Sequence, residues 1–282
     1  MTIRLVRVID HQRRGQVGVV HGEQVVLLPY ADLPEMLEDG AFEPADLLDA
    51  AESGRGEAVP LTGVPLGPPV AKPPKIVCIG LNYYDHASES GMQVPKQPIL
   101  FSKYSTAIVG PGEPVVIPPV TKQVDYEVEL GVVIGRRGKN IPLENALDYV
   151  FGYTICNDIS ARDLQFEDGQ WLKGKTLDTF LPVGPAVVTS DEIPDPQALE
   201  ISLERNGTVV QHASTKDMIF PVAEIVAYIS LLMTLEPGDL IATGTPPGVI
   251  LGQKDPLWLR PGDILRAKIE GIGELVNPVA EG

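Results

Sequence analysis

The sequence contains little of what marks secreted, membrane-spanning or nucleic-acid-binding proteins. Its two cysteines, Cys78 and Cys156, each lie within an apolar run, which indicates reduced core thiols rather than a disulfide framework. No segment approaches the ~18 consecutive apolar residues that a membrane span requires. The first residues carry charges and no apolar signal region, so we expect a cytoplasmic protein.

Basic residues are scarce as well. The 22 Lys and Arg residues face 38 Asp and Glu residues, and the formal net charge is −16. This balance opposes binding to nucleic acid or to an anionic membrane surface. A small anionic substrate is still compatible with it, because a bound metal and a few local cations set the field inside a pocket.

Nucleotide-binding and redox motifs are also missing. The sequence has no GxGxxG, no GxxxxGK[ST] phosphate loop, no CxxC and no internal repeat. Its 27 prolines and 28 glycines fall between apolar segments. That distribution predicts many short strands joined by defined turns.

The order of these segments predicts an α+β fold that is mainly β. A small N-terminal α+β domain is predicted over residues 1–60, a Pro-rich linker over 61–74 and a larger domain over 75–282. In the first domain, strands are predicted over 3–9, 16–20 and 24–28, and a helix over 33–51. In the second, strands are predicted over 75–79, 99–101, 115–117, 126–134, 151–157, 185–189, 200–205, 240–243 and 264–269, and helices over 143–149 and 221–235.

The most informative segment is the acidic run around residue 127. Because side chains alternate along a strand, Glu127 and Glu129 should share one face, about 6–7 Å apart, while Val128 and Leu130 take the other. Two carboxylates this close resist burial. A divalent cation would offset that cost if a third carboxylate, Asp158, joined them from a neighbouring strand. The alternative is an edge strand with a solvated acidic face.

Two further clusters could carry chemistry. On a helix, His86 and Glu89 lie three residues apart and face the same way, which suits a water-activating pair. A solvated helix face is the alternative. After the strand that ends at Asp158, Arg162 and Gln165 could reach a substrate carboxylate or carbonyl. The alternative there is a helix N-cap with its charges in solvent.

A lysine completes the set of candidates. Lys175 lies between a glycine and a run of large apolar residues. Beside a divalent metal, such a lysine stabilises an enolate or oxyanion as a point charge. An ordinary surface lysine is the alternative.

These blocks, in this order, resemble the fumarylacetoacetate hydrolase family. The blocks are Gly80-Leu81-Asn82-Tyr83 with His86 and Glu89, Asp125-Tyr126-Glu127-Val128-Glu129-Leu130, Gly152-Tyr153 through Asp158 to Gln165, Lys173-Gly174-Lys175-Thr176-Leu177-Asp178, Pro182-Val183-Gly184-Pro185, Gly238-Asp239-Leu240-Ile241 and Thr243-Gly244-Thr245-Pro246. The resemblance implies a mixed β-roll catalytic domain over residues 75–282. It also implies a homodimer.

The resemblance further implies a metal site and a catalytic pair. It places one Mg²⁺ or Mn²⁺ per chain on Glu127, Glu129 and Asp158. It makes His86 and Glu89 a water-activating dyad on a lid that orders when substrate binds.

The remaining implied positions concern the substrate. Lys175 becomes the electrophilic partner of the metal, and Gln165 and Thr245 become substrate-binding positions. Arg162 is predicted to bind substrate from its place in the sequence. His212 departs from the family's pattern, because that loop more often carries small or acidic residues.

The function implied is metal-dependent hydrolysis of the carbon–carbon bond of an acylpyruvate or related β-diketo acid, through a pyruvate enolate. Oxaloacetate decarboxylation, isomerisation or tautomerisation of 2-hydroxy dienedioates, and hydrolysis or dehydration of 2-keto-3-deoxy sugar acids are compatible alternatives. A metal-binding or interaction protein on a decayed enzyme scaffold is the non-enzymatic alternative, and retention of every candidate catalytic residue argues against it. Loops over 90–97 and 166–171 should form the wall that contacts the distal part of the keto-acid substrate.

Overall fold

The computed structural model describes residues 3–40, 44–53, 56–89 and 91–282, which are folded mainly as β-sheet. Within these ranges the strands are β1 Arg4–Ile9, β2 Gly15–His21, β3 Gln24–Leu27, β4 Ala58–Pro60, β5 Leu66–Gly67, β6 Ile76–Gly80, β7 Ile99–Ser102, β8 Ile108–Val109, β9 Val115–Ile117, β10 Val124–Asp125, β11 Val128–Ile134, β12 Val150–Asn157, β13 Ser160–Ala161, β14 Leu181–Thr189, β15 Glu200–Arg205, β16 Thr208–Ser214, β17 Leu240–Ala242, β18 Ile264–Ile269 and β19 Gly273–Glu281. The α-helices are α1 Leu33–Glu38, α2 Pro44–Glu52, α3 Tyr84–Glu89, α4 Arg162–Gln165, α5 Leu172–Lys175 and α6 Val222–Leu232, and 3₁₀ helices span Ser105–Ala107, Leu143–Tyr149, Ser190–Glu192, Thr215–Asp217 and Ile250–Gly252. The predicted α+β, mainly β class is confirmed.

Twelve of the described strands form one large sheet. Its order is β4-β3-β2-β1-β14-β12-β11-β17-β6-β7, with β5 beside β1 and β8 beside β14. Most neighbours run antiparallel, whereas the pairs β17–β6 and β8–β14 run parallel. Leu5 of β1 lies opposite Val187 of β14, so the N-terminal strands continue the sheet that carries the candidate site.

The N-terminal part of the chain differs in detail from its prediction. The helix predicted over 33–51 is wrong as one element, because α1 ends at Glu38 with Asp39 as its C-cap, and Gly40 takes a left-handed φ of 76°. Helix α2 follows, and residues 41–43 lie outside the described ranges. Within the predicted linker, β5 pairs with β1. The division into 1–60, 61–74 and 75–282 stays a prediction.

Strands β11 and β12 form the centre of the large sheet, and every one of their residues is buried. Val128, Leu130 and Val132 pack into one hydrophobic core together with α6, as the predicted alternation requires. Val133 packs on the opposite face into a second core that includes α1 and both cysteines. The cysteines are free and buried, which confirms the predicted core thiols.

Two smaller sheets complete the fold. A five-stranded sheet, in the order β16-β15-β18-β19-β9, packs against the first core. The short pair β10–β13 sets Asp125 opposite Ser160, which brings the segment before β11 beside the segment after β12. Among the described residues, no helix has the length and apolarity needed to cross a membrane.

Candidate active site

Glu127 lies in a break between two strands rather than within one. The strand predicted over 126–134 begins only at Val128, so the prediction of a continuous strand is wrong. Side-chain acceptors replace the backbone ladder at this point. The N–H of Glu127 donates to Asn157 Oδ1 at 3.0 Å, and the N–H of Val128 donates to Gln211 Oε1 at 3.0 Å.

Three carboxylates converge where β11 begins and β12 ends. One oxygen each from Glu127, Glu129 and Asp158 lies within 4.8 Å of the others, and all three side chains are buried. The N–H of Asp158 donates to the main-chain carbonyl of Glu127 at 2.8 Å, which fixes the two segments together. Their burial excludes the solvated edge strand. The N-cap of α4 is Ala161, so Asp158 is not a helix cap.

Three cations pair with this carboxylate triad from inside the protein. Lys175 Nζ lies 2.7 Å from Glu127 Oε2 and 2.8 Å from Asp158 Oδ2. Arg162 Nη2 lies 2.6 Å from Glu127 Oε1. Lys103 Nζ lies 2.6 Å from Asp158 Oδ1. Lys175 is therefore a buried site residue and not a surface lysine.

Lys103 is a site residue that the sequence did not reveal. It follows β7, and its side chain is 0 % exposed. Its ammonium donates to the main-chain carbonyls of Ile159, Lys175 and Phe180. A single lysine after a short strand has no local pattern that separates it from the surface lysines that are far more common.

The donor set fits a hard divalent cation. An ammonium has three N–H groups, and three carbonyls take those of Lys103. Asp158 Oδ1 lies 2.6 Å from this ammonium and meets no other donor among the described residues. Glu129 Oε2 accepts one hydrogen bond, from the N–H of Gly244 at 2.8 Å. Buried carboxylate oxygens with free lone pairs are ligands that Mg²⁺ and Mn²⁺ prefer.

The three carboxylates differ in how far neighbouring positive charges offset the cost of their burial. Burial, and then the charges of Asp158 and Glu127, raise the pKa of Glu129 well above its ordinary value. Burial also acts to raise the pKa of Glu127, but Lys175 and Arg162 outweigh it, and that pKa is lowered. Burial opposes the charge on Lys175, yet Asp158 and Glu127 outweigh it, and the pKa of Lys175 is raised. Of the three carboxylates, Glu129 is thus the one whose ionised form a bound cation would stabilise most.

His86 and Glu89 form the predicted pair on α3. His86 Nδ1 lies 3.1 Å from Glu89 Oε1, and the imidazole is buried. Both oxygens of Glu89 also accept from the N–H of Gly248, each at 3.0 Å. Because an ionised carboxylate only accepts hydrogen bonds, it places the proton on Nδ1 and leaves Nε2 as the basic nitrogen.

Members of the triad and of the dyad line one cleft. Its lining includes Glu127 and Glu129 of the triad, His86 of the dyad, and Lys175. Both loops that were predicted to form the substrate wall also reach it. The 90–97 loop contributes Met92, and the 166–171 loop contributes its two end residues. Residue 90 itself lies outside the described ranges.

The predicted substrate-binding residues line the same cleft. Arg162 Nη1 donates to Gln165 Oε1 at 2.9 Å, which leaves the NH₂ end of that amide to donate to a substrate. The Thr245 hydroxyl donates to the carbonyl of Val128 at 3.0 Å and accepts from Gln211 Nε2 at 2.9 Å. The substrate roles of Arg162, Gln165 and Thr245 stay predictions.

His212 lies outside the cleft. Its side chain is 66 % exposed, and its Nε2 lies 3.2 Å from Glu200 Oε2. It lines a separate surface groove together with Tyr84 and Lys216. The departure from the expected pattern at this position is therefore a surface feature.

The chain matches known proteins over most of its length. The family model described as fumarylacetoacetate (FAA) hydrolase C-terminal matches residues 75–280. The mitochondrial oxaloacetate tautomerase Fahd2a of Rattus norvegicus is 48% identical over 222 residues, which are 78% of this chain and 71% of that protein.

Solved structures extend the similarity to the N-terminal region. The fumarylacetoacetate hydrolase of Exiguobacterium antarcticum has a TM-score of 0.87 and 38% identity, over 99% of this chain and 100% of that one. The 2-hydroxyhepta-2,4-diene-1,7-dioate isomerase of Mycobacterium marinum has a TM-score of 0.80 and 39% identity, over 99% of this chain and 98% of that one.

Proposed function

This chain belongs to the fumarylacetoacetate hydrolase family, and from that premise we propose that it is a divalent-metal-dependent enzyme that interconverts the enol and keto forms of oxaloacetate. The observation that carries the proposal is the meeting, in one cleft, of a proton-transfer group and an enolate-stabilising group. These groups are His86 and Lys175. The similarity to an oxaloacetate tautomerase at 48% identity supports oxaloacetate as the substrate.

The carboxylate triad would hold one Mg²⁺ or Mn²⁺. When bound, the cation polarises the oxygens of the 2-oxo acid and stabilises the negative charge that develops as the C3 proton leaves. The protein keeps Glu127 and Asp158 paired with cations, and it keeps all three carboxylates out of bulk water. Charge interactions in such a dry site are stronger than in water.

Lys175 would contribute a fixed positive charge at the enolate oxygen. Two of its three N–H groups donate to Glu127 and Asp158, which leaves the third for a substrate oxygen. Its raised pKa keeps the ammonium charged at neutral pH. Because the two carboxylates hold it in place, little reorganisation accompanies the reaction.

His86 would move the proton. In the keto form, Nε2 takes a proton from C3, and the enolate oxygen takes one from solvent. In the reverse direction the enol hydroxyl loses its proton to solvent, and the imidazolium returns one to C3. Glu89 orients the ring through Nδ1 and stabilises the imidazolium that forms. The N–H of Gly248 holds Glu89 in turn.

Hydrolysis of an acylpyruvate, which the sequence predicted first, is the second candidate. The same His86–Glu89 pair has the arrangement needed to activate water, and the similar Exiguobacterium structure is a hydrolase. Hydrolysis additionally requires a water between His86 and the distal carbonyl, whereas keto–enol transfer does not. Decarboxylation of oxaloacetate reaches the same kind of enolate and is expected as a slower side reaction.

Three parallel assays of the Mn²⁺-loaded enzyme distinguish these reactions. Loss of the enol absorbance of oxaloacetate measures ketonisation, pyruvate release measures decarboxylation, and loss of acetylpyruvate absorbance measures hydrolysis. An enzyme-free Mn²⁺ control corrects for catalysis by the metal alone. We expect ketonisation to be fastest. Acetylpyruvate cleavage faster than ketonisation would overturn the proposal in favour of a hydrolase.

We also propose that the chain forms a homodimer and acts in the cytoplasm, as the sequence predicts. Sedimentation of the purified chain tests the first proposal, since a monomer at micromolar concentration would contradict it. Fractionation of the source cells tests the second.

A further inference from the structure

One wall of the cleft is aromatic. Phe101 of β7 and Trp171, just before α5, meet edge to face, with ring centroids 5.6 Å apart and planes at 68°. Both rings line the cleft, and Lys175 Nζ lies 5.0 Å from the centroid of Phe101. The aromatic wall therefore lies beside the ammonium that is proposed to hold the enolate oxygen.

Trp171 is held by its main chain and by its ring. Its carbonyl accepts hydrogen bonds from the N–H groups of Gly174 at 3.0 Å and Lys175 at 3.1 Å. Its indole lies against the bare backbone of Gly80, where an added Cβ would be 2.5 Å from Cζ3 and 3.0 Å from Cη2. A ring can take this position only because residue 80 has no side chain.

We infer that Trp171 determines the length of the substrate by closing the cleft at the size of a four-carbon diacid. The inference rests on the proposed function, which places the 2-oxo acid end at the triad and Lys175. Substrate carbons beyond the enolate then extend toward the wall that Phe101 and Trp171 form. Phe166, which also lines the cleft, is 41 % exposed, so it is less constrained by its neighbours than Trp171.

Binding of unbranched 2-oxo acids of three to seven carbons measures this limit directly. Isothermal titration of the Mg²⁺-loaded protein gives each dissociation constant without requiring turnover. In the wild type we expect binding to weaken about tenfold or more once the chain exceeds four carbons. In Trp171→Ala, binding of the six- and seven-carbon acids should strengthen at least about tenfold, since one methylene in an apolar pocket is worth ~10–200-fold. Pyruvate binding should change by less than about threefold, which shows that the variant is folded.

Gly80→Ala tests the contact between residue 80 and the indole ring of Trp171. The added Cβ should push the indole into the cleft and weaken binding of four-carbon acids about tenfold. In the Trp171→Ala background the same substitution should have almost no effect, because the clashing ring is gone. Equal effects of Gly80→Ala in both backgrounds would overturn the role of this contact. If Trp171→Ala does not fold, Trp171→Phe should give an intermediate length limit.

The other tryptophan provides a matched control. Trp258 packs against the first core and does not line the cleft. Trp258→Ala should keep the wild-type length profile, and a profile shifted as in Trp171→Ala would contradict the inference. Ketonisation of oxaloacetate is measured on the same preparations. If the wild type shows the length limit but does not catalyse ketonisation, only the proposed function is overturned. If the wild type catalyses ketonisation but Trp171→Ala keeps the wild-type length profile, only the inference is overturned.

Discussion

Glu127, Glu129 and Asp158 lie where the central strands β11 and β12 of a twelve-stranded sheet begin and end, respectively. His86 and Glu89 lie on a six-residue helix that follows β6. All three carboxylates are buried, and Glu127 and Asp158 are paired with buried cations. Among the described residues, the dyad is held by the hydrogen bond within the pair and by the N–H of Gly248.

The difference reflects what each region has to do. Stabilising an enolate requires charges that are held in place and shielded from water before the substrate binds. Moving a proton requires one correctly oriented ring, which a short helix with an anchored carboxylate supplies. The triad therefore depends on several buried charged residues, while the dyad depends on its own hydrogen bond and on the N–H of Gly248.

The largest effect is expected from breaking the triad. Asp158→Asn removes one ligand charge and should lower the ketonisation rate by at least about 10³-fold, because charge stabilisation by a metal is worth several kcal/mol. Calorimetry should show loss of Mn²⁺ binding. Asp239→Asn is the matched control, since Asp239 is equally buried but pairs with Lys75. This control should still bind one Mn²⁺ per chain.

Removing the fixed ammonium should separate enolate stabilisation from metal binding. Lys175→Met should lower kcat by ~10²–10³-fold, as expected for loss of one preorganised charge at an oxyanion. Mn²⁺ affinity should not weaken, because all three carboxylates remain. An unchanged kcat would mean that Lys175 has only a structural role.

Lys103 tests how strongly the triad depends on its buried surroundings. Lys103→Met leaves Asp158 Oδ1 and three main-chain carbonyls without their cation. Breaking a buried ion pair in this way costs about 3–5 kcal/mol. Urea unfolding of the metal-free protein measures the loss. A change below about 1 kcal/mol would show that the ion pair contributes little to the fold.

The dyad should respond differently from the triad. His86→Ala should slow ketonisation about a hundredfold, at the lower end of what general acid–base catalysis supplies. Decarboxylation of oxaloacetate should fall less, because it needs no proton removed by His86. Equal losses in both reactions would contradict proton transfer by His86.

The smallest effect concerns stability and pH. Burial and the neighbouring carboxylates raise the pKa of Glu129 in the metal-free fold above its unfolded value of about 4.3. The stability contribution of this group is then complete below pH ~4 and is lost as the pH rises through the raised pKa. Glu129→Gln should therefore stabilise the EDTA-treated protein more at pH 8 than at pH 5. If urea unfolding shows the same gain in stability at both pH values, the raised pKa of Glu129 is contradicted.

Much of this site could be predicted from the sequence, because its residue types are unusual where they occur. Glu127 and Glu129 interrupt an apolar run, and His86 and Glu89 have helical spacing. The break before β11 could not be predicted, since the acceptors that replace the ladder, Asn157 and Gln211, come from distant segments.

Other features were missed for similar physical reasons. Lys103 becomes a site residue only through contacts made across more than fifty positions of the chain. Strand β16 has no clear alternation, and β19 contains a proline, so neither showed the expected strand pattern. Strand β5 is only two residues long and forms because β1 lies beside it.

The central claim is that the buried triad holds the cation on which keto–enol catalysis depends. Titration of the EDTA-treated chain with Mn²⁺, with bound metal and ketonisation rate followed in the same samples, tests it most directly. We predict one Mn²⁺ per chain and a rate that rises in proportion to occupancy, with neither in Asp158→Asn. Full ketonisation in the EDTA-treated wild type, or full occupancy without any rise in rate, would contradict the claim.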